Sequence, residues 1–449
     1  MKNKKYLSVF NEIVKLQSKG KLADGIQDIK LEDMDEDMLK GYICSAMNQE
    51  PDTGASLKDI AKQALNESEA NRPIISVVGN CSECIKKDDK ELKCVNSCPF
   101  DAIFKDSQAG RIRVNADKCE GCGECVKACS LERIVDKIQY MPIVNLLKDK
   151  KVPVYATIAP AYIGQFGDEV TPGKMRTALK MIGFKDLIEV ALFADIISIR
   201  EAIEFKNLVK NVGDFMITSC CCPIWMSLLK RHYKELVEHV TPSVSPMIAS
   251  GRVIKKICPD AKVVFIGPCI AKKSEAKEPD IKDAIDYVLT FDELNEIFKA
   301  LNIDPSKLEG DVSEYSSKGG RIYARVGGVS ECIIDTLNKL SPNHPIEVKD
   351  AHANGVKECK QLLDKALKGE LDVNFLEGMG CIGGCVGGPR VMVDKELGKE
   401  CVNRYGNEAQ YHTPLDGPCA MEVLRSIGIE SIKKLEEGNE KSRMFLRNL

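Results

Sequence analysis

The chain has 449 residues, 44% of them hydrophobic and 29% charged, with a formal net charge of −3. That length suits two to four soluble globular domains with ample core, and the near-neutral balance gives no bulk pull toward nucleic acid or an anionic membrane. Twenty cysteines first suggest a secreted disulfide scaffold, but Asn11 and Glu12 break the one apolar stretch near the start, so no signal-type segment is expected, and no run approaches the ~18–20 apolar residues of a membrane span. The expectation is a cytoplasmic chain with reduced thiols, in which clustered cysteines mean metal or redox chemistry.

In chain order, residues 1–75 read as a helical, charge-rich segment. "YLSVFNEIVKLQ" and "LEDMDEDMLKGYICSAM" both space apolar residues at helical intervals. Cys44, on the second, is expected in the core rather than on a metal.

Cysteine density jumps in residues 76–140. "CEGCGECVKACS" sets Cys119, Cys122, Cys125 and Cys129 in a C-x₂-C-x₂-C-x₃-C run, the spacing of bacterial [4Fe–4S] proteins. In such a run three thiolates wrap one cube and the fourth crosses to another. Gly121 and Gly123 let backbone N–H groups approach the cluster sulfurs. A four-cysteine zinc site, the rival, usually shows two separated C-x₂-C knuckles. The partner motif, Cys81, Cys84, Cys94 and Cys98, is C-x₂-C-x₉-C-x₃-C followed by Pro99, with the charged insert "IKKDDKELK" as a solvent-facing loop. The expected assignment is Cys81, Cys84, Cys94 and Cys129 on one [4Fe–4S] cluster, and Cys98, Cys119, Cys122 and Cys125 on the other.

From 141 to 449 the pattern is α/β. The β-branched runs "VPVYATIAP", "DFMITS", "AKVVFIGP" and "DYVLT" alternate with helical stretches such as "TPGKMRTALKMIGF" and "FDELNEIFKAL". That alternation predicts mostly parallel sheets with helices outside, and functional groups at the C-terminal strand ends. Three further cysteine segments lie at or near such ends: "TSCCCPIW" (218–225), "GPCIAKKSE" (267–275) and "LEGMGCIGGCVGG" (376–388). None is specific alone, because lone buried cysteines are common core residues. If the third segment begins a helix, Cys381 and Cys385 share a face of it.

These three segments, in this order behind a two-cluster module, resemble the signatures of the [FeFe]-hydrogenases: T-S-C-C-P, P-C-x-x-K-K-x-E and M-x-C-x-x-G-C. The resemblance spans roughly residues 78–390. It implies an α/β catalytic domain of two lobes with mostly parallel sheets around a buried H-cluster, preceded by a ferredoxin-like (α+β) domain with two [4Fe–4S] clusters. The H-cluster is a [4Fe–4S] cube joined to a two-iron unit with CO, cyanide and azadithiolate ligands. The resemblance gives Cys222, Cys269 and Cys381 to the cube and makes Cys385 both a ligand and the bridge. Lys272 would hydrogen-bond one cyanide, Ala159, Pro160 and Ala161 match the loop at the other, and Met379 matches a pocket methionine. Cys221 matches the thiol that passes protons, with Glu201, Ser245 and Glu204 as the onward relay. Read from the residues alone, Glu201 and Glu204 would merely solvate a helix face.

The implied function is interconversion of H₂ with two protons and two electrons, the electrons passing to ferredoxin or a similar soluble carrier, with separate maturation proteins supplying the two-iron unit. Two alternatives stand beside it. One is a hydrogen sensor with slow turnover. The other is a non-catalytic iron–sulfur carrier or assembly protein, which needs no Cys221, Lys272 or Glu201. This chain departs from the family pattern at Gly267 (usually methionine), Leu208 (usually the arginine of the proton exit, for which Lys206 or Lys210 could substitute), Ile224 (usually glycine) and "GGPR" after the third motif. Cys220 is an extra thiol beside the cofactor. It is either core or the spacer that lets Cys221 shift to cap the open iron site. Cys44, Cys258, Cys332, Cys359, Cys401 and Cys419 default to structural roles.

Overall fold

The structure, a computed structural model, describes residues 3–32, 34–50, 54–66, 74–86, 92–108, 110–219, 221–311, 315–436 and 440–449. Cys220 and residues 87–91 of the charged insert therefore lie outside the described residues.

Both helices expected in the N-terminal segment are present, at Lys4–Ser18 and Glu36–Ala46. Asp35 caps the second by accepting from Met38 N at 2.7 Å, which satisfies an N–H that the first helical turn cannot pair itself. The first helix buries Tyr6, Phe10, Ile13 and Val14. Its Tyr6 hydroxyl donates to Asp136 O (2.7 Å) and its Asn11 amide donates to Glu296 O (3.0 Å). The segment is thus packed onto the later domains, and Cys44 is buried within it.

Four short strands follow. β1 (Ile75–Val77) pairs antiparallel with β4 (Ile134–Asp136), and β2 (Ile103–Asp106) with β3 (Arg111–Val114). Between them run the cysteine loops, braced by an apolar core that includes Ile75, Ile103, Ile112 and Ile134.

Beyond residue 150 there are two parallel sheets. One holds β5 (Val154–Ile158), β6 (Asp186–Glu189), β8 (Lys262–Gly267) and β9 (Tyr287–Thr290) in the order β6-β5-β8-β9. The other holds β7 (Met216–Ile217), β10 (Asp350–Asn354) and β11 (Phe375–Met379) in the order β10-β11-β7. β5, β8, β9 and β11 are almost wholly buried, as strands covered on both faces must be. The crossover helix Pro172–Ile182 starts with Thr171 accepting from Lys174 N (3.3 Å) and stops at Gly183, whose φ of +123° bars a side chain.

The three cysteine segments leave the C-terminal ends of β7, β8 and β11, as the pattern predicts. No helix among the described residues is long and apolar enough to cross a membrane. One expectation fails. The segment from Cys381 does not begin a helix, because Gly383 and Gly384 take φ of +95° and +85° and only a short 3₁₀ turn, Cys385–Gly387, follows. Positive φ breaks right-handed helical geometry, so a tight turn rather than a helix face carries Cys385 back toward Cys381.

Candidate functional site

In the chain the β2–β3 hairpin lies between the two four-cysteine motifs, Cys81–Cys98 and Cys119–Cys129, whose thiols fall into two groups of four. Burial pushes the Cys81 thiol up to about 11, and the charges of Cys129, Cys84 and Cys94 add to the effect. Cys94 likewise feels Cys129 and Cys84. Cys119, pushed up to about 11, and Cys122, to about 12, are shifted first by burial and then, among the neighbouring thiols, most by Cys98. Cys125 feels Cys122, Cys119 and Cys98. Cys129 thus stands among the thiols of the earlier motif, and Cys98 among those of the later one. Four buried or half-buried thiols this close do not all ionise beside one another without a cation in their midst. That donor set fits an iron–sulfur cube, and Ala102 N already donates to Cys98 Sγ at 3.2 Å.

A third group forms where the two parallel sheets meet. Burial raises Cys269 to about 12, with Cys222 the next cause. Cys381 feels Cys269 and Cys222, and Cys385 feels Cys221, Cys269 and Cys222. Each strand end gives this group a local reason to form. Cys222 is the N-cap of helix Pro223–His232, with Pro223 supplying the fixed φ of a first turn. Gly380 N donates to Cys222 Sγ at 3.2 Å. A Cβ on Gly378 would meet the Trp225 ring at 2.1 Å and one on Gly380 would meet Ile224 at 2.7 Å. Trp225 is thus seated against the bare Gly378 of β11, and the bulky Ile224 against Gly380 just beyond it.

A small apolar cavity adjoins this group, lined among others by Ala159, Pro160, Cys221, Phe265, Lys272 and Tyr323 together with Cys269 and Cys385. Ala161 is buried nearby, and Met379 packs with Cys222 and Trp225 in the neighbouring core rather than lining the cavity. Where the family pattern has a methionine, Gly267 leaves space that Phe265 fills: a Cβ at 267 would lie 2.6 Å from its ring. Lys272 is buried, donating to Glu275 at 2.6 Å and Ser245 Oγ at 3.2 Å. Burial opposes its charge, yet Glu275 and Cys221 hold its pKa above the ordinary lysine value. It is a cation kept charged at the wall of an apolar cavity.

Glu201, on helix Val190–Leu208, is fully enclosed. Its carboxylate accepts from Ser219 Oγ (2.6 Å), Thr241 Oγ1 (2.9 Å) and Thr218 Oγ1. Burial raises its pKa although these hydroxyls work to lower it. Ser245 is not part of this cluster. It caps helix Pro246–Ile257, and its hydroxyl takes bonds from Ile248 N and Lys272 instead. The hydroxyls at Glu201 are those of Thr218, Ser219 and Thr241. Glu204 pairs with Arg200 at 2.6 Å, the preceding turn supplying the cation, whereas Lys206 reaches Glu436 at 3.8 Å.

The second thiol group abuts the third site. Cβ atoms on Gly121 and Gly123 would touch Ser274 at 3.2 Å and Pro389 at 3.0 Å, and Lys127 and Cys381 influence each other electrostatically. The order in space is therefore the Cys81 group, the Cys119 group, then the cavity.

Residues 152–389 match the family of the iron-only hydrogenase large subunit, C-terminal domain, and residues 88–140 match an iron–sulfur cluster-binding domain of the LdpA type. The chain is similar to iron hydrogenase 1 of Clostridium pasteurianum, 29% identical over 411 residues, covering 69% of this chain and 71% of that one. It is also similar to the periplasmic [Fe] hydrogenase large subunit of Nitratidesulfovibrio vulgaris, 31% identical over 297 residues, covering 55% and 70%. A cytosolic iron–sulfur assembly component 3 of Bos taurus is 23% identical over 414 residues, covering 74% and 86%. The fold matches a solved [FeFe]-hydrogenase of Chlamydomonas reinhardtii at 20% identity with a TM-score of 0.55, covering 69% of this chain and 98% of that one.

Proposed function

We propose that this chain, which belongs to the iron-only hydrogenase large-subunit family, interconverts H₂ with two protons and two electrons and passes the electrons to a ferredoxin-like soluble carrier in the cytoplasm. The observation behind the reading is the convergence of Cys222, Cys269, Cys381 and Cys385, from three strand ends, on a cavity walled by Cys221 and Lys272. Those four thiols would hold the cube of an H-cluster between two α/β lobes, with Cys385 as the bridge. When bound, the two-iron unit, delivered by maturation proteins, supplies the site where H₂ is formed and split.

The chain's own residues do the rest. Lys272, charged and aimed by Glu275, offers N–H donors to an anionic ligand in a dry space, and Ala159 and Pro160 close the opposite wall. Cys221 holds a proton at its Sγ at the cavity edge, and Glu201 stores one behind it among three hydroxyls. A buried carboxyl with a raised pKa exchanges protons nearer neutral pH than an exposed one. The two four-thiol groups nearer the N-terminus would hold [4Fe–4S] clusters of a ferredoxin-like domain and carry electrons in the spatial order given above.

An assembly protein lacking the two-iron unit is the second reading, favoured by the similarity to an assembly component. Against it stand Cys221, Lys272 and Glu201, which such a protein does not need. The readings separate on iron and infrared. Matured protein should hold about 14 irons, three cubes and a pair, and protein made without maturation about 12. Carbonyl and cyanide bands should appear only in the former. Matured protein with about 12 irons, no such bands and no H₂ turnover would overturn the hydrogenase reading.

A further inference from the structure

A second buried polar chain runs through Ser198, one turn before Glu201 on the same helix. Tyr323 lines the cavity. Its hydroxyl is 3.0 Å from Ser198 Oγ, and Ser198 Oγ is 3.0 Å from Cys332 Sγ. All three residues are buried. Ser198 also reaches the carbonyl of Ala194, one turn back, at 2.9 Å, a resting bond common for helical serines. A hydroxyl has one proton and two lone pairs, so Ser198 can bond only one of these partners as a donor at a time, and rotation about its C–O bond changes which.

Beyond Cys332 the chain continues. A Cβ on Gly319 would lie 2.4 Å from Cys332 Sγ and 3.3 Å from Ser317 Oγ, so thiol and hydroxyl flank the same bare glycine. Ser317 Oγ donates to Asp195 Oδ1 at 2.5 Å, and Ser317 N donates to Oδ2 at 2.7 Å. Cys419, half-exposed at the head of helix Cys419–Ser426, feels the Asp195 charge. An apolar core would have been satisfied by Phe, Ala and Val at positions 323, 198 and 332. Instead three proton-bearing groups stand in file between a catalytic cavity and a carboxyl.

We infer that Tyr323, Ser198 and Cys332, fed by Asp195 through Ser317, form a second proton path to the cavity. The inference rests on the hydrogenase reading, because that reaction consumes and releases protons. In one inward transfer the S–H bond of Cys332 breaks as an O–H bond forms on Ser198. Ser198 hands its own proton to Tyr323 Oη, and Tyr323 releases its proton into the cavity. No electrons leave the chain, and as Cys332 gives up its proton it takes one from Asp195 through Ser317, so no free thiolate stands beside that carboxyl. Burial raises the Asp195 pKa to about 7, so the carboxyl is still partly protonated near neutral pH.

The first test needs no two-iron unit. In protein made without maturation, the infrared S–H stretch assigned by its loss in Cys332→Ala should move to higher frequency in Ser198→Ala and shift in Tyr323→Phe, which removes a hydroxyl but keeps the ring. An S–H band indifferent to Ser198→Ala would overturn the path. In matured protein the path is read with the Glu201 route removed. Glu201→Gln should leave a residual rate with an enlarged solvent isotope effect, and adding Tyr323→Phe or Cys332→Val should cut that residue at least tenfold. A residual rate unchanged by Tyr323→Phe and Cys332→Val, or no residual rate in Glu201→Gln with its carbonyl bands intact, would also overturn it. Absence of those bands from matured wild-type protein would instead overturn the hydrogenase reading beneath it.

Discussion

Replacing Cys221 with alanine should cut H₂ turnover by about 100- to 10,000-fold, the range a positioned general acid contributes, while carbonyl and cyanide infrared bands and iron content stay at wild-type levels. Cys221 faces the cavity and interacts with the Cys385 thiol. Two and three residues before it, Ser219 and Thr218 hold the Glu201 carboxylate. A proton leaving Glu201 therefore has a hydroxyl on the segment that ends in Cys221. Alanine removes the last carrier of the proposed path and leaves in place the four thiols proposed to hold the cube. Cys258→Ala, far from the site and only partly buried, serves as the control and should keep its rate. Since burial holds Glu201 protonated to higher pH than a free carboxyl, H₂ formation should fail on the alkaline side as that proton is lost. Wild-type turnover in Cys221→Ala would remove this thiol from the path.

Replacing Lys273 with methionine should destabilise the protein by about 3–5 kcal/mol, the cost of stripping one partner from a buried charge pair. This is a large share of the about 5–15 kcal/mol that a domain holds in reserve. Lys273 is fully enclosed and donates to Asp136 Oδ2 (2.8 Å), Glu293 Oε1 (2.5 Å) and Lys137 O (2.7 Å). Arg390 reaches the same Asp136 and also Asp292 (3.3 Å). Burial, with the Glu293 charge adding to it, pushes Asp292 up to about 7, and burial brings Arg390 down to about 10. The network joins β4 to the helix after Cys269, the helix after β9 and the loop after Cys385. Methionine leaves Asp136 to Arg390 and strips Glu293 of its lysine partner. The denaturant midpoint of the cluster-loaded protein, followed by circular dichroism, should fall well below that of the wild type. An unchanged midpoint would show that this network does not join the domains. The neighbouring Lys272, which pairs with Glu275 at the cavity wall, belongs to the site instead.

The elements that frame the site were legible in the sequence because their signals are local. Apolar runs of four to six residues marked β5, β8 and β9, and helical spacing marked both N-terminal helices. The three cysteine segments were legible because glycine and proline flank them at strand ends. What was not legible depends on neighbours remote in the chain. Ser245 matched a relay hydroxyl by type, but a serine before proline at a helix start is first of all a cap, and its side chain is spent there and on Lys272. Thr218 and Ser219 lay in plain view inside the T-S-C-C-C run, read only for its sulfurs. Arg200 stands four residues before Glu204, the spacing of a helical ion pair, and could have been picked out ahead of Lys206 and Lys210. Phe265 lies two residues before Gly267, hence on the same strand face, which is the signal that a ring fills the space a methionine would take. Cys381 and Cys385 have helical spacing, but the two glycines between them decide for a turn.

The exchanged places of Cys98 and Cys129 bear on how the N-terminal iron–sulfur module comes into being. Each four-thiol group borrows its last member from the other motif, so neither is complete until the two motifs, on either side of the β2–β3 hairpin, are brought together. Filling one group would hold the two motifs together and bring the second group into register, and the entropy of closing that loop, which grows only slowly with its length, would be met once for both. Metal loading should therefore be all-or-none, with chains carrying both cubes or neither and few halfway. A cell short of iron would accumulate fewer competent molecules rather than a crowd of half-wired ones that accept electrons and cannot pass them on.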